Sequence, residues 1–184
     1  SRFAHPWEEC RGLAHSFGYN RYETSEDYMT PAQCVEMLVE KVARGGNLLL
    51  DVGPDEHGLI PVAMEDRLLA MGRWLNVNGE AIYGTRPFSV SGESASGFQV
   101  HYTQKDDALY AIFLDWPGQG ATVDLAAVTP ASLAGRRVKQ ATLLSVKKNY
   151  DCPFEQQAEE LRLTIPRNGR YPSDAAQVVR LELE

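Results

Sequence analysis

The stretch Asn47-Leu-Leu-Leu-Asp-Val-Gly-Pro54 decides the fold of the first half of the chain. It is a short apolar run stopped by Gly-Pro, which is typical of a strand buried on both faces. Side chains alternate along a strand, so the run has one face with polar members and one apolar face. The first face comprises Asn47, Leu49 and Asp51, and the second comprises Leu48, Leu50 and Val52. Such a strand suits a (β/α) barrel in which the polar face points to the interior.

Helices are predicted on both sides of this strand. Thr30-Pro31-Ala32-Gln33 combines a Thr N-cap, Pro at the first helical position and a Gln that completes a capping box, and Gly45-Gly46 ends that helix. A second helix opens at Pro61 and ends at Asn78-Gly79. The single parallel strand between them has no predicted neighbour for its backbone groups. We therefore expect strands from elsewhere, and a large exposed apolar surface on residues 1–86 unless a partner covers it.

The apolar period changes to two from about Pro87 onward. Residues 98–114 are predicted to form a hairpin that turns at 104–107. Pro and Gly residues separate the candidate strands that follow. Those candidates are residues 122–125, 138–146, 161–165 and 178–183. Five or six short strands without helices predict a small antiparallel β-sandwich. The expected fold is thus α/β followed by all-β: residues 1–86 as the terminal part of a barrel and residues 87–184 as a sandwich, packed together.

Composition excludes several classes of partner. The 184 residues carry a net charge of −7, and their Lys and Arg are scattered among carboxylates, so nucleic acid is not expected. No apolar run approaches the roughly 18 residues of a membrane span. Three widely spaced cysteines fit neither a zinc site nor a disulfide framework and are expected to be buried. The four histidines share no metal-ligand spacing, and no metal or other cofactor is expected.

Four ordered motifs carry a family resemblance. They are Trp7-Glu8, Ser16-Phe17-Gly18-Tyr19-Asn20, the stretch 46–54, and Asn78-Gly79-Glu80-Ala81-Ile82-Tyr83. In this order and at these spacings they closely resemble the C-terminal part of the retaining α-L-fucosidases, glycoside hydrolase family 29. The hairpin strands around Tyr102 and Tyr110 are similar to the C-terminal domain of the same family.

The resemblance implies a barrel enzyme that removes terminal L-fucose from glycans by double displacement. In this mechanism an Asp attacks the anomeric carbon, while a second carboxyl group about 5 to 5.5 Å away protonates the leaving oxygen and later activates water. The family's nucleophile and fucose-binding histidines come from earlier barrel strands, so this chain alone is expected to be inactive. Its expected partners are a fucosylated glycan and the N-terminal barrel portion of the same enzyme. The family acts in extracellular, periplasmic or lysosomal compartments, and no signal in this chain chooses among them.

Three residues are candidates for the site. Glu8 is a candidate acid/base, because a carboxyl group that lies beside an indole and is partly desolvated would have its pKa raised. The alternatives are that Glu8 pairs with an Arg such as Arg11, and that the acid/base lies upstream of Ser1. Phe17 matches a family position that places an aromatic ring against the sugar, and Trp7 is a second candidate for substrate binding. Either ring is otherwise an ordinary packing residue.

Two further positions and two further functions stay open. Asp51 stands where the family usually has Asn, and His57 lies in the loop after the strand. Asp51 either adjusts the charge near the reaction centre or hydrogen-bonds within the barrel; His57 either reaches the leaving-group sugar or is a surface residue. The alternatives to a fucosidase are a non-catalytic stabilising or glycan-binding piece, and a different barrel glycosidase with a similar tail.

Overall fold

The structure is a computed structural model that describes residues 5–167 and 175–184. This part of the chain is mostly β, with two α-helices in its first half. In chain order the elements are β1 (Glu8–Gly12), α1 (Pro31–Ala43), β2 (Asn47–Asp51), α2 (Val62–Asn78), a 3₁₀ turn (Gly79–Ala81), β3 (Arg86–Ala95), β4 (Phe98–Lys105), β5 (Ala108–Phe113), β6 (Thr122–Leu125), β7 (Val138–Leu143), β8 (Tyr150–Asp151), β9 (Phe154–Gln156), β10 (Leu161–Thr164) and β11 (Gln177–Leu183).

Helix α1 has the ends that the sequence predicts. The Gln33 amide donates to the Thr30 hydroxyl oxygen at 3.2 Å, and the Thr30 amide donates to Gln33 Oε1 at 2.8 Å, which completes the capping box. After the helix, Gly45 takes a positive φ of 84°, a conformation that costs glycine little. The capping prediction is confirmed.

Strand β2 has a partner, which corrects the expectation of a lone parallel strand. It pairs in parallel with β1, from Glu8 opposite Asn47 to Gly12 opposite Asp51. The β1 segment, Glu-Glu-Cys-Arg-Gly, contains no β-branched or aromatic residue, so no strand pattern marks it. The backbone of β2 provides the hydrogen-bonding template that makes this segment a strand.

Helix α2 follows Pro61, as predicted, and its last turn tightens into the 3₁₀ turn at Gly79. Its sequence repeats apolar residues at intervals of four, three and four, at Met64, Leu68, Met71 and Leu75, and this stripe is only partly buried. Met64 and Met71 are buried, whereas Leu68 and Leu75 are half-buried. Trp74, which the stripe omits, is 1% exposed and is the largest fully buried side chain of the described residues. An indole can reach the sheet from a neighbouring helical position because of its size.

Two antiparallel sheets make up the second half. Within the described residues the larger has the order β3-β4-β5-β11-β7-β8 and the smaller has the order β6-β10-β9. The predicted hairpin is β4–β5, and β6 has the predicted bounds. The sequence predicts five or six strands, whereas the described residues of this half form nine. The three strands that the prediction lacks are β3, β8 and β9, of which β8 and β9 are only two and three residues long.

One hydrophobic core lies between these two sheets. It contains Tyr102, Phe113 and Leu143 from the larger sheet and Leu125 and Leu163 from the smaller one. All five side chains are fully buried. Burial of apolar side chains on the facing surfaces of both sheets is what holds the two layers together.

A second core joins the helices to the other face of the larger sheet. Val35 of α1 and Trp74 of α2 lie in one cluster with Tyr110, Ile112 and Val178 of the sheet. The central strand β5 is consequently buried along its whole length. The expectation that the two halves pack together is confirmed.

The first half also leaves apolar side chains in solvent. Among residues 5–167 and 175–184, nine of the eleven exposed large hydrophobic side chains precede residue 87. They are Phe17, Tyr19, Tyr22, Leu49, Leu59, Ile60, Val62, Leu69 and Tyr83. Their number agrees with the predicted exposure of the first half, and that they form one large apolar surface stays a prediction. None of the helices in the described part is long and apolar enough to cross a membrane.

Candidate active site

The candidate site lies at the carboxyl ends of β1 and β2. Because the two strands are parallel, their last residues, Gly12 and Asp51, lie at one edge of the sheet. Ligands of α/β folds bind beyond this edge, since the loops that leave the strands converge there. The loops here are residues 13–30 after β1 and residues 52–61 after β2.

Two glycines bring the first loop close over the strand ends. A Cβ atom at residue 12 would lie 2.6 Å from the Ser16 carbonyl oxygen, and a Cβ at residue 53 would overlap the backbone amide of Tyr19. A larger residue at either position would push the loop away from the sheet. Gly12 and Gly53 therefore allow residues 16–19 to pass close to the carboxyl ends of β1 and β2.

Side chains hold the first loop in place. Glu23 Oε1 accepts from the Ser16 amide at 2.8 Å, and Asn20 Nδ2 donates to the Ser16 hydroxyl at 3.1 Å. Further along, the Thr24 amide and hydroxyl donate to Asp27 Oδ2 and lower the pKa of that carboxyl group. The loop is thus ordered by its own polar side chains.

This loop presents two aromatic rings to solvent. Phe17 is 57% exposed and Tyr19 is 41% exposed, although both belong to a hydrogen-bonded loop. An exposed aromatic ring at the carboxyl edge of parallel strands can cover the apolar face of a sugar. Sequence reasoning identifies Phe17 and omits Tyr19. The alternation of aromatic, Gly and aromatic residues at 17–19 is a signal that could have found it.

The second loop is compact and exposed. Asp55 Oδ1 accepts from the amides of His57 at 2.8 Å and Leu59 at 2.9 Å, and the Asp55 amide donates to the Leu59 carbonyl at 2.8 Å. Gly58 makes the turn possible with a φ of 78°. His57 and Leu59 both point into solvent from this frame, with Leu59 65% exposed.

Trp7 and Glu8 lie at the opposite end of β1. Glu8 is the first residue of the strand, four positions before Gly12, which at 3.3 Å per residue places it about 13 Å from the carboxyl edge. The Trp7 indole lies against Gly46, where a Cβ atom would overlap the ring, and the Trp7 carbonyl accepts from the Asn47 amide at 3.0 Å. The structure therefore does not bring Trp7 and Glu8 together with Phe17.

The expected ion pair of Arg11 involves a different glutamate. Arg11 Nη1 lies 3.7 Å from Glu9 Oε1, because residues 9 and 11 share one face of β1 and Glu8 lies on the other. The pairing of Glu8 with Arg11 is thus wrong. Both partners of the observed pair are partly exposed, so it contributes little to stability. The acid/base role of Glu8 stays a prediction.

The face of the sheet that carries Glu8 is open. Parallel pairing puts Glu8 and Cys10 on the same face as Asn47 and Leu49, and all four are exposed. Asp51 completes this face at the carboxyl edge and is half-buried. Cys10 is therefore an exception to the expectation of buried cysteines, which Cys34 and Cys152 follow.

The histidines do not converge. His5, His15 and His57 are exposed, whereas His101 is buried on β4, where desolvation lowers its pKa. Among the described residues, no group of three or more His, Cys, Asp and Glu side chains has the arrangement of a metal site.

Two family models match most of the chain. The model described as alpha-L-fucosidase matches residues 1–80, and the model described as the alpha-L-fucosidase C-terminal domain matches residues 95–182. Among curated proteins, the alpha-L-fucosidase of Dictyostelium discoideum is 36% identical over 169 residues, which are 89% of this chain and 35% of that protein. The tissue alpha-L-fucosidase of Bos taurus is 35% identical over 180 residues, which are 96% of this chain and 36% of that protein.

Solved structures agree with this assignment. The Thermotoga maritima alpha-fucosidase in complex with a mechanism-based inhibitor superposes with a TM-score of 0.83 at 30% identity, covering 99% of this chain and 41% of that one. A trapped covalent intermediate of the family 29 enzyme from Bacteroides thetaiotaomicron superposes with a TM-score of 0.73 at 26% identity, covering 97% of this chain and 38% of that one. The chain spans between about a third and two fifths of the length of these proteins. It belongs to the α-L-fucosidase family, glycoside hydrolase family 29.

Proposed function

We propose that this chain is the C-terminal part of a retaining α-L-fucosidase. Residues 1–86 would supply the last strands and helices of a (β/α) catalytic barrel, and residues 87–184 a β-sandwich domain. The observation that carries the proposal is an exposed aromatic loop at the carboxyl edge of a parallel strand pair, in a chain that belongs to this family.

The strand pair itself supports an incomplete barrel. In the described part of the chain, β1 and β2 pair with each other alone, so each strand has a second edge that no other described strand covers. Open edges of parallel strands with helices on one face are unusual, because parallel sheets are normally covered on both faces and extended. Further barrel strands would cover these edges and the open face that bears Glu8, Cys10 and Leu49.

The reaction of the complete enzyme would be hydrolysis of terminal α-L-fucosides with retention. An Asp outside this chain attacks the anomeric carbon as a second carboxyl group protonates the leaving oxygen; water, activated by that second group, then releases fucose from the Asp. The covalent intermediate named for the Bacteroides thetaiotaomicron relative supports this two-step route. The chain would contribute to binding and orientation, and would be inactive without the remaining barrel.

Phe17 is the residue of this chain that we assign to the sugar. L-fucose has a methyl group and an apolar ring face, and both gain free energy when an aromatic ring removes them from water. The ring is exposed, and its loop is held by Ser16, Glu23 and Asn20. For Trp7 and Glu8, location at the amino end of β1 favours a structural role over contact with the reacting atoms.

The test is to assay the chain with and without the remaining barrel portion. We expect release of the aryl group from an aryl α-L-fucoside only when both parts are present, with fucose of retained configuration as the first product seen by NMR. An intact, folded assembly that releases nothing would contradict the proposal. Binding of a fucosylated glycan by this chain alone, without turnover in the assembly, would favour a non-catalytic binding role instead.

A further inference from the structure

We propose that the loop Asp55–Ile60 forms the leaving-group side of the site, with His57 and Leu59 contacting the sugar to which fucose is attached. This inference rests on the proposed function and deepens it, since it concerns which part of the glycan this chain recognises. The loop leaves the same sheet edge as the loop that carries Phe17.

Contact between the two loops places the second one beside the proposed fucose contact. A Cβ atom at residue 53 would overlap the Tyr19 amide and lie within 2.9 Å of the Gly18 backbone. Residue 53 therefore touches the segment next to Phe17, and Asp55 follows two positions later. A substrate that lies on Phe17 and is longer than one sugar extends over an adjoining loop. Among the described residues, the segment 52–61, which contains Asp55–Ile60, touches the Phe17 loop through Gly53.

The loop is ordered before any ligand arrives. Three hydrogen bonds between 2.8 and 2.9 Å join Asp55 to His57 and Leu59. A preformed loop costs little conformational entropy on binding, so its contacts contribute more fully to affinity. Leu59 remains 65% exposed in this frame, and His57 is exposed beside it.

The two side chains match the two kinds of surface on a sugar. The His57 imidazole can donate to and accept from hydroxyl groups, and the Leu59 side chain can cover a face of C–H groups. The missing barrel strands are a less suitable contact for His57 and Leu59 than a sugar is. New strands would pair along the free edges of β1 and β2, whereas this loop extends beyond the strand ends.

The experiment compares two substrates in the complete enzyme. The first is α-L-fucosyl fluoride, whose leaving group is a single atom, and the second is a fucosylated disaccharide. We expect His57→Ala and Leu59→Ala each to lower kcat/KM for the disaccharide about tenfold while leaving kcat/KM for the fluoride unchanged. Val146→Ala is the matched control, because Val146 is a 64% exposed apolar loop residue of the second half.

Each outcome separates the inference from the proposed function. Equal losses on both substrates, or no loss on either, would overturn the inference while the parent enzyme remains an active fucosidase. A parent enzyme inactive on both substrates would instead overturn the proposed function, and the inference with it. Thermal melting shows whether each variant is folded. If Leu59→Ala lowers Tm strongly, the kinetics of the exposed His57→Ala variant decide whether the inference holds.

Discussion

The indole Nε1 of Trp74 donates a hydrogen bond of 2.6 Å to the carbonyl oxygen of Ala176. Trp74 is on α2, and Ala176 directly precedes β11 of the larger sheet. A second bond, from the Thr103 hydroxyl to the Ala81 carbonyl at 2.6 Å, joins the sheet to the turn after α2. These buried bonds attach the helical half, and with it the candidate site, to the β half.

Replacement of Trp74 by Phe should therefore loosen the contact between the two halves. The variant keeps most of the apolar burial but leaves the Ala176 carbonyl without its donor, which costs about 1 to 3 kcal/mol. Urea unfolding of the complete enzyme measures the change. Val146→Ala, at a 64% exposed loop residue of the second half, is the control and should shift the free energy of unfolding by less than about 0.5 kcal/mol. A Trp74→Phe variant as stable as the control would show that the bond contributes nothing.

Phe17→Ala should weaken the enzyme mainly through substrate binding. Loss of the aromatic contact, worth roughly 1.5 to 3 kcal/mol, corresponds to about a 10- to 150-fold fall in kcat/KM on any fucoside. Phe17→Trp should retain most of the activity, because an indole offers the same apolar surface. The control is Tyr22→Ala, since Tyr22 is 86% exposed on the same loop. A Phe17→Ala variant with parent kinetics would remove this residue from the site.

Replacement of Glu8 by Gln should lower the catalytic rate less than the loss of a true acid/base does. The carboxylate lies at the amino end of β1, about 13 Å from the edge where Phe17 lies. Loss of a general acid/base lowers the rate roughly 10² to 10⁴-fold, whereas we expect a change of less than about tenfold. The alkaline limb of the pH profile of kcat/KM should also persist, because it reports the acid of the free enzyme. A larger loss together with a missing alkaline limb would restore Glu8 as the acid/base.

Local signals explain which parts of the fold are predictable. The ends of α1 depend on Thr30, Gln33 and Gly45, which act within one helical turn of the boundary they define. Strand β1 depends instead on a partner that lies 39 positions away, as the pairing of Glu8 with Asn47 shows. Nothing in Glu-Glu-Cys-Arg-Gly itself favours a strand, so only the tertiary structure reveals it.

Because β1 is not predictable from its own sequence, the prediction of the site is limited as well. Phe17 and His57 follow recognisable strand ends or motifs, and both lie at the carboxyl edge. The positions of Trp7 and Glu8 could not be judged, because without β1 there is no way to tell which end of a strand they occupy. Both are candidates because of the Trp-Glu motif and the pairing of a carboxyl group with an indole, and an extended strand separates them from Phe17.

His101 should make the stability of the fold depend on pH. It lies on β4 with 8% of its surface exposed, and a Cβ at Gly92 of β3 would lie 2.9 Å from its Nδ1. Desolvation lowers its pKa, and Arg44 of α1 adds to this; Glu40 of α1 and a hydrogen bond with the Ser91 backbone act in the opposite direction. The folded state thus takes up a proton on this residue less readily than the unfolded state does.

The direction of the pH effect follows from that difference. Unfolded His101 protonates near its ordinary pKa of about 6.5, so the unfolded state binds more protons once the pH falls below that value. The stability that neutral His101 contributes is complete above about pH 6.5 and is lost as the pH falls through the lowered pKa of the folded state. His101→Gln removes this titration, and its Tm should change less than the parent Tm between about pH 7 and about pH 5. Val146→Ala, at an exposed residue that does not titrate, is the control and should keep the parent pH dependence. If His101→Gln and the parent lose Tm in parallel over this range, protonation of His101 is not what destabilises the fold in acid.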